Sequence, residues 1–227
     1  AKLIEVLGDD ADSGMVIEIA VRKHHLPHHF SEACVKAATN IPDHVRKTDL
    51  KRRVDLRALP LVTMDGETAR DFDDAVFAEK VGRNYRLVVA IADVSHYVRP
   101  DDGIDVDAQE RSTSVYFPRR VIPRLPEKLS NGICSLNPDV ERLCMVCDMV
   151  ITYAGNIKEY RFYPAVMRSH ARLTYNHVWD WISDGQDHPF KQQIDTLYKL
   201  FKILQKKRFE RGAVEFESVE TQMIFDD

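Results

Sequence analysis

The clearest hydrophobic periodicity lies near the end of the chain, where apolar residues recur at spacings of four and three: Phe190, Ile194, Leu197, Phe201 and Leu204. Positions with this spacing share one face of a helix. The pattern therefore predicts a helix that begins at Pro189, ends at Gly212 and packs its apolar stripe into a core. A shorter helix is expected before it, from about Thr174 and including Trp179 and Trp181.

Residues 61–167 have a different pattern, in which short apolar runs are separated by turn residues, as is typical of strands. The nearly continuous apolar run at residues 86–92 predicts a central strand buried on both faces. Residues 143–153 and 160–167 predict a hairpin across the turn at Gly155. Further strands are expected at residues 114–117 and 214–216, and a short helix at residues 104–111.

The first forty residues predict small elements. Residues 2–7 indicate one short strand without a nearby partner. Asp12 or Ser13 is expected to cap a helix that ends near Lys23, although the β-branched residues within it leave a strand open. Ser31 is expected to cap a second helix that ends near residue 39.

Composition narrows the class of protein. The chain has 227 residues, 44% of them hydrophobic, and no apolar run approaches the ~18 residues of a membrane span. We therefore expect a soluble, cytoplasmic protein with no membrane partner. A net charge of −4 argues against a wholly basic nucleic-acid binder, but a nuclease whose acids form its site remains compatible.

Two other local patterns have ordinary interpretations. Cys144 and Cys147 have the C-x-x-C spacing, but no second pair completes a zinc site, and the surrounding residues predict a buried strand with free thiols. The basic residues between Arg46 and Arg57 indicate a solvated linker, with a phosphate-contacting path as the alternative.

The segment DGETARDFDDAV concentrates four aspartates between two apolar strands: Asp65, Asp71, Asp73 and Asp74. Carboxylates this close repel one another unless cations lie between them. Hard oxygen ligands suit Mg²⁺ or Mn²⁺. Two such ions clamp the attacking and leaving oxygens in phosphodiester hydrolysis, which makes a two-metal site the favoured interpretation.

Three other interpretations of the acidic segment fit the sequence less well. A solvated loop fits poorly, because Phe72 lies among the acids and the flanks are apolar. An EF-hand counted from Asp71 would need glycine at position 76 and glutamate at position 82, which are Val76 and Gly82. A phosphatase-type pair of Asp71 and Asp73 would need an apolar strand directly before it, and a polar stretch stands there instead.

Several long segments in order resemble the ribonuclease II / ribonuclease R family of RNB-type 3′→5′ exoribonucleases: RVDLRALPLVTMDGETARDFDDAV, VAIADVSHYV, TSVYFPRRVIPRLPEKLSNGICSLNP and SHARLTY. The first residues, AKLIEVLGDD, resemble the last strand of that family's second cold-shock domain. The resemblance implies an α+β fold: a β-rich RNB-type catalytic core with packed helices, preceded by a helical linker and an OB-fold (cold-shock) remnant.

The implied activity is Mg²⁺-dependent hydrolysis of single-stranded RNA from its 3′ end, releasing nucleoside 5′-monophosphates. By the resemblance, Asp65, Asp71 and Asp74 match the metal-binding aspartates, and Asp73 matches the aspartate that positions or deprotonates the attacking water. Tyr116 matches a tyrosine that stacks near the 3′-terminal base, whereas a tyrosine in an apolar strand, taken alone, is more often a core residue. Phe216 matches a second stacking aromatic across variable spacing. No protein partner is implied.

The resemblance also implies that family members are longer than this chain, with a catalytic-site arginine and an S1 domain in their later part. The expected divisions are residues 1–21 as a cold-shock remnant, 22–57 as a helical linker and 58–227 as the N-terminal part of the catalytic domain. An inactive RNA-binding or folding fragment is the alternative to an active exoribonuclease.

Overall fold

The computed structural model describes residues 3, 5–8, 14–118 and 120–216, which form two units. The first unit is built from described residues within Ala1–Ile41 and Val98–Glu127, and the second from those within Pro42–Tyr97 and Lys128–Asp227. In chain order the elements are α1 (Met15–Lys23), α2 (Glu32–Thr39), β1 (Val54–Asp55), β2 (Val62–Asp65), β3 (Asp74–Val81), β4 (Asn84–Ala92), α3 (Gly103–Arg111), β5 (Val115–Phe117), β6 (Arg120–Ile122), β7 (Glu141–Ile151), β8 (Ile157–Arg168), β9 (Ala171–Thr174), α4 (Tyr175–Asp184) and α5 (Lys191–Glu210). No helix among the described residues is long and apolar enough to cross a membrane.

The first unit contains helices α1, α2 and α3 and the two-stranded sheet of β5 and β6. Ser31 caps α2 as predicted, because its hydroxyl accepts a hydrogen bond from the Cys34 amide at 3.1 Å. The same hydroxyl donates to the Asp107 carboxylate of α3 at 2.7 Å. The two helices approach closely at Gly103, where a Cβ atom would lie 2.5 Å from the Ala33 carbonyl carbon.

The second unit is organised around a seven-stranded sheet in the order β1-β8-β7-β4-β3-β2-β9. Five consecutive strands in that order, from β8 to β2, pair antiparallel, while the outer strands β1 and β9 pair parallel to β8 and β2. Helices α4 and α5 cover part of one face, where Val62 and Leu173 pack against Val178 and Ile194. The prediction of an α+β fold is confirmed.

Most of the predicted elements are confirmed. Strand β4 occupies the centre of the sheet, β7 and β8 form the predicted hairpin, and Thr174 caps α4 through a hydrogen bond from the His177 amide at 3.3 Å. Helix α3 also lies where it was expected. These elements share strong local signals, namely a polar cap, a turn glycine or a long apolar run.

Several details of the prediction are wrong. Strand β4 is not buried on both faces, because Ile91 is 46% exposed. The buried face of α5 differs from the predicted one by one position near its middle, because Leu200 is buried and Phe201 is exposed. Residues 214–216 form no strand. The helix that ends at Lys23 begins at Met15 after Gly14.

Other predictions concern residues that are only partly described. Asp12 and Ser13, the predicted caps of α1, lie outside the described residues, as do Lys2 and Ile4 of the predicted first strand. The described part of that strand, residues 3 and 5–7, is not in a strand.

The basic segment before β1 is solvated in part, as predicted for most of its residues. Arg46, Lys47, Lys51 and Arg52 are exposed, and Arg46 lies 3.0 Å from the buried Asp49. Arg53 is the exception, because it lies 2.5 Å from Asp93 and both side chains are less than a tenth exposed. The charge of Arg53 is therefore paired inside the second unit.

Candidate catalytic site

Two of the four aspartates lie at adjacent strand ends. Asp65 is the last residue of β2 and Asp74 is the first residue of β3. These strands pair antiparallel through Val62 and Val76, so the end of one strand lies beside the start of the other. The pairing of β2 with β3 therefore places Asp65 and Asp74 at the same end of the two strands, as expected for a strand–loop–strand arrangement.

The two carboxylates are close enough for the charge of Asp65 to act on Asp74. Desolvation raises the pKa of Asp74, and the negative charge of Asp65 raises it further. The pKa of Tyr175 is also raised, first by desolvation and then by the charges of Asp65 and Asp74. Tyr175 begins α4, directly after the strand that pairs with β2. The pair of acids and this phenol consequently form one electrostatic group.

The other two aspartates lie in the loop that joins β2 to β3. Asp71 and Asp73 flank Phe72, whose side chain is only 4% exposed. Asp71 is half-buried and Asp73 is exposed. The carbonyl oxygen of Asp73 accepts a hydrogen bond from the Ala92 amide at 2.9 Å, so the backbone of Asp73 is tied to the end of β4.

Side chains from distant parts of the second unit hold this loop. Ser135 accepts a hydrogen bond from the Phe72 amide at 3.0 Å and donates to the Arg70 carbonyl at 3.1 Å. Arg172 of β9 donates to the carbonyl of residue 67 at 2.6 Å and to that of residue 69 at 3.2 Å. Asn176 donates to the carboxylate of residue 67 at 3.0 Å.

Sequence reasoning missed Ser135, Arg172, Asn176 and Tyr175. Three of them, Ser135, Arg172 and Tyr175, lie within segments that carried the family resemblance, which was the available signal. Their proximity to the acids follows from strand pairing over about a hundred residues, which local patterns do not encode.

The two predicted stacking aromatics are both exposed. Tyr116 lies on β5 in the first unit and is 67% exposed, so it is not a core residue. Phe216 follows α5 in the second unit and is 86% exposed. Exposed aromatic faces are available for base stacking, and the roles of both residues stay predictions.

The four cysteines are free thiols, as predicted. Cys144 and Cys147 lie on β7, and burial raises the pKa of Cys144 to about 12. A thiol with so high a pKa is protonated at neutral pH and is a poor metal ligand or nucleophile.

The donor chemistry at the strand ends fits a divalent cation, since carboxylate oxygens are the ligands that Mg²⁺ and Mn²⁺ prefer. Asp65 and Asp74 are neighbouring carboxylates at the ends of paired strands. Within the described part of the chain, however, no three His, Cys, Asp or Glu side chains are already grouped to hold a metal ion. The structure thus provides a carboxylate pair, with two further acids on the adjoining loop.

Comparison with known proteins gives the family. The RNB domain profile matches residues 53–227, which include the acidic loop and the whole sheet, and a cold-shock domain profile matches residues 1–31. The chain belongs to the RNB-domain family. Ribonuclease R of Escherichia coli is 51% identical over 231 residues, which cover 99% of this chain and 28% of that protein. This RNB-domain chain therefore spans little more than a quarter of that relative's length.

Solved structures agree with this assignment. Mycoplasma genitalium RNase R in complex with double-stranded RNA matches with a TM-score of 0.92 and 30% identity, over 98% of this chain and 40% of that one. The same enzyme in complex with ribose-methylated single-stranded RNA matches with a TM-score of 0.90 and 30% identity, over 98% and 35% of the two chains. The fold of the RNB-domain chain is that of these proteins.

Proposed function

We propose that the protein containing this chain is a 3′→5′ exoribonuclease that releases nucleoside 5′-monophosphates. Its proposed active site lies where Asp65 and Asp74 meet, at the paired ends of strands β2 and β3. The observation that carries the proposal is the pair of carboxylates at adjacent strand ends, where burial and the charge of Asp65 raise the pKa of Asp74, in an RNB-domain chain 51% identical to a ribonuclease R. The proposed ligand is a single-stranded RNA 3′ end, and the proposed location is the cytoplasm.

Each of the four aspartates has a proposed role. Asp65, Asp71 and Asp74 hold Mg²⁺ or Mn²⁺, with the Asp65–Asp74 pair as the fixed part of the site. The chemistry that such a cation supplies when bound is positive charge for the scissile phosphate and polarisation of the attacking water. Asp73 is exposed, and its backbone is fixed to β4. We assign to Asp73 the orientation of the attacking water.

Two observations support RNA as the ligand. The structural neighbours are named as RNase R bound to double-stranded and to single-stranded RNA. In this chain, Tyr116 and Phe216 present exposed rings on which bases of any identity can stack. Stacking that tolerates every base suits an exonuclease without sequence preference.

The test uses a chimera in which this chain replaces the matching segment of Escherichia coli ribonuclease R. The chimera should release mononucleotides from a 3′-tailed RNA in Mg²⁺. Asp73→Asn should abolish release and leave RNA binding intact, because the change keeps the side-chain volume and removes only the carboxylate. Asp184→Asn, at the exposed end of α4, is the matched control and should behave as the parent. Release near the parental rate by Asp73→Asn would contradict the assignment of Asp73.

An RNA-binding piece without hydrolytic activity is a second candidate for the chain by itself, because the chain spans 28% of its ribonuclease R relative. The same assay on the isolated chain separates the two. RNA binding without Mg²⁺-dependent mononucleotide release would favour the binding piece, whereas release that Asp73→Asn abolishes would favour a self-sufficient active site.

A further inference from the structure

Local hydrogen bonds shape the start of the segment between Asp65 and Asp74. The residue 66 amide donates to the Asp65 carboxylate at 2.7 Å, and the residue 69 amide donates to the residue 66 carbonyl at 3.2 Å. Its aspartates repel one another, and repulsion alone would spread them apart. A fixed arrangement of the four carboxylates therefore requires restraint from outside the segment.

Ser135 supplies restraint at the far end of the segment. The residue is fully buried, and its hydroxyl both accepts from the Phe72 amide and donates to the Arg70 carbonyl. These two bonds lie on either side of Asp71. The neighbouring Leu136 amide donates to the Phe72 carbonyl at 2.8 Å, so both backbone groups of Phe72 are paired. The orientation of the residues that flank Phe72 is set by this pairing.

Ser135 is itself held in place. The Nε atom of Arg142, a buried residue of β7, donates to the Ser135 carbonyl at 2.8 Å. The residue that restrains the loop is consequently anchored to a central part of the sheet. A hydrogen-bond partner with a fixed position can transmit that position to the backbone that it contacts.

Arg172 supplies restraint at the near end. Its Nη2 atom donates to the carbonyls of residues 67 and 69, and the guanidinium carbon lies 5.1 Å from the centre of the Phe72 ring. One planar group thus connects the start of the segment to its buried aromatic. A lysine has a single ammonium head and would not reproduce this planar arrangement.

We propose that Ser135 and Arg172 are positioning residues that together hold the backbone of the loop, so that on cation binding Asp71 completes a site with the Asp65–Asp74 pair and Asp73 orients the attacking water. Neither side chain is assigned a contact with cation or RNA. Each acts through the backbone of the loop. The proposal rests on the proposed function, since it needs Asp65, Asp71 and Asp74 to form the cation site.

The test measures cation binding and loop protection on this chain, without RNA. The variants are Ser135→Ala, Arg172→Ala and Arg172→Lys. Ser169→Ala is the matched control, because Ser169 is also buried and its hydroxyl donates to the Ala171 carbonyl at 3.0 Å rather than to the backbone of the loop. The three readouts are the Mn²⁺ dissociation constant from electron paramagnetic resonance, amide hydrogen exchange of residues 66–73, and the urea midpoint of unfolding.

Ser135→Ala and Arg172→Ala should each weaken Mn²⁺ binding by roughly 10–100-fold, the usual effect of removing a group that orients metal ligands. Amide exchange of residues 66–73 should accelerate in both variants. Arg172→Lys should recover part of the affinity. Ser169→Ala should lower the urea midpoint, as the loss of a buried hydrogen bond does, without changing the Mn²⁺ affinity. That contrast separates positioning from general stability.

Two results would overturn the proposal, and they are distinguishable. If the parent chain binds Mn²⁺ and the variants bind it equally well, or if exchange of residues 66–73 is unchanged, the positioning roles are refuted while the proposed function stands. If the parent binds Mn²⁺ no better than Asp65→Asn does, the cation site of the proposed function fails, and the positioning roles fail with it. Because Arg172 is exposed, its variants remain informative even if Ser135→Ala does not fold.

Discussion

Replacing Arg53 by methionine should cause a large loss of stability in the second unit. The Arg53 and Asp93 side chains are 8% and 6% exposed, and their charged atoms lie 2.5 Å apart. Arg53 also donates through Nε to the Asp49 carbonyl at 3.1 Å and through Nη1 to the Ala165 carbonyl at 3.4 Å. Methionine keeps much of the side-chain volume and removes the charge and all of these donors.

The expected magnitude follows from the carboxylate that is left behind. Burial opposes ionisation of Asp93, yet hydrogen bonds from Ser95 and Arg53 hold its pKa below the usual value. Without Arg53, the charge is buried with little compensation, which costs about 3–5 kcal/mol. For a chain of this length each kcal/mol lowers the melting temperature by roughly 2–4 °C, so the expected decrease is about 6–20 °C.

The measurement is urea and thermal unfolding of the parent and of three variants. Arg83→Met changes an exposed arginine of the β3–β4 turn and should alter stability little. The double variant Arg53→Met with Asp93→Leu removes both charges and should recover much of the loss, because a buried ion pair is often replaceable by apolar side chains. A loss below about 1 kcal/mol for Arg53→Met would refute the reasoning, since that is the range of exposed ion pairs.

Three further predictions concern the acids and the exposed tyrosine. Mg²⁺ at about a hundred times its dissociation constant should stabilise the folded chain by roughly 2.7 kcal/mol and so raise its melting temperature. Asp65→Asn or Asp74→Asn should cancel most of that rise, and a melting temperature that does not change with Mg²⁺ would contradict a cation site. Hydrogen bonding from Arg46 lowers the pKa of Asp49 to about 2, so Asp49 stabilises the folded state above its unfolded pKa of about 3.9, and this contribution is lost as the pH falls through about 2. The difference in unfolding free energy between the parent and Asp49→Asn, on the order of 2 kcal/mol near neutral pH, should therefore shrink between about pH 5 and about pH 2 in urea titrations. In the chimera, Tyr116→Ala should lengthen the final product or slow the last cleavage steps without abolishing hydrolysis, because stacking contributes roughly 1–3 kcal/mol per base; a final product and a rate equal to those of the parent chimera would contradict the stacking role.

Features that depend on residues close together in the chain could be predicted from the sequence. The hydroxyl caps of Ser31 and Thr174 were predictable because a polar residue before an apolar stripe marks a helix start. The four aspartates were recognisable because no ordinary surface loop places so many carboxylates between two apolar runs. Position within the sheet is different, because the parallel pairing of β2 with β9 joins residues more than a hundred positions apart. No local signal distinguishes that pairing from others.

That single parallel pairing explains why the segment SHARLTY accompanies the acidic loop. In the β2–β9 register Asp65 lies opposite Thr174, which also caps α4, and the next residue, Tyr175, is in electrostatic contact with Asp65 and Asp74. Two positions before Thr174, on the same face of β9, Arg172 holds the loop carbonyls. A shift of β9 by one residue would move Arg172 and Thr174 to the opposite face together. The loop restraint, the helix cap and the phenol near the acids are thus consequences of one register, and a change that disturbs the register should disturb all three at once.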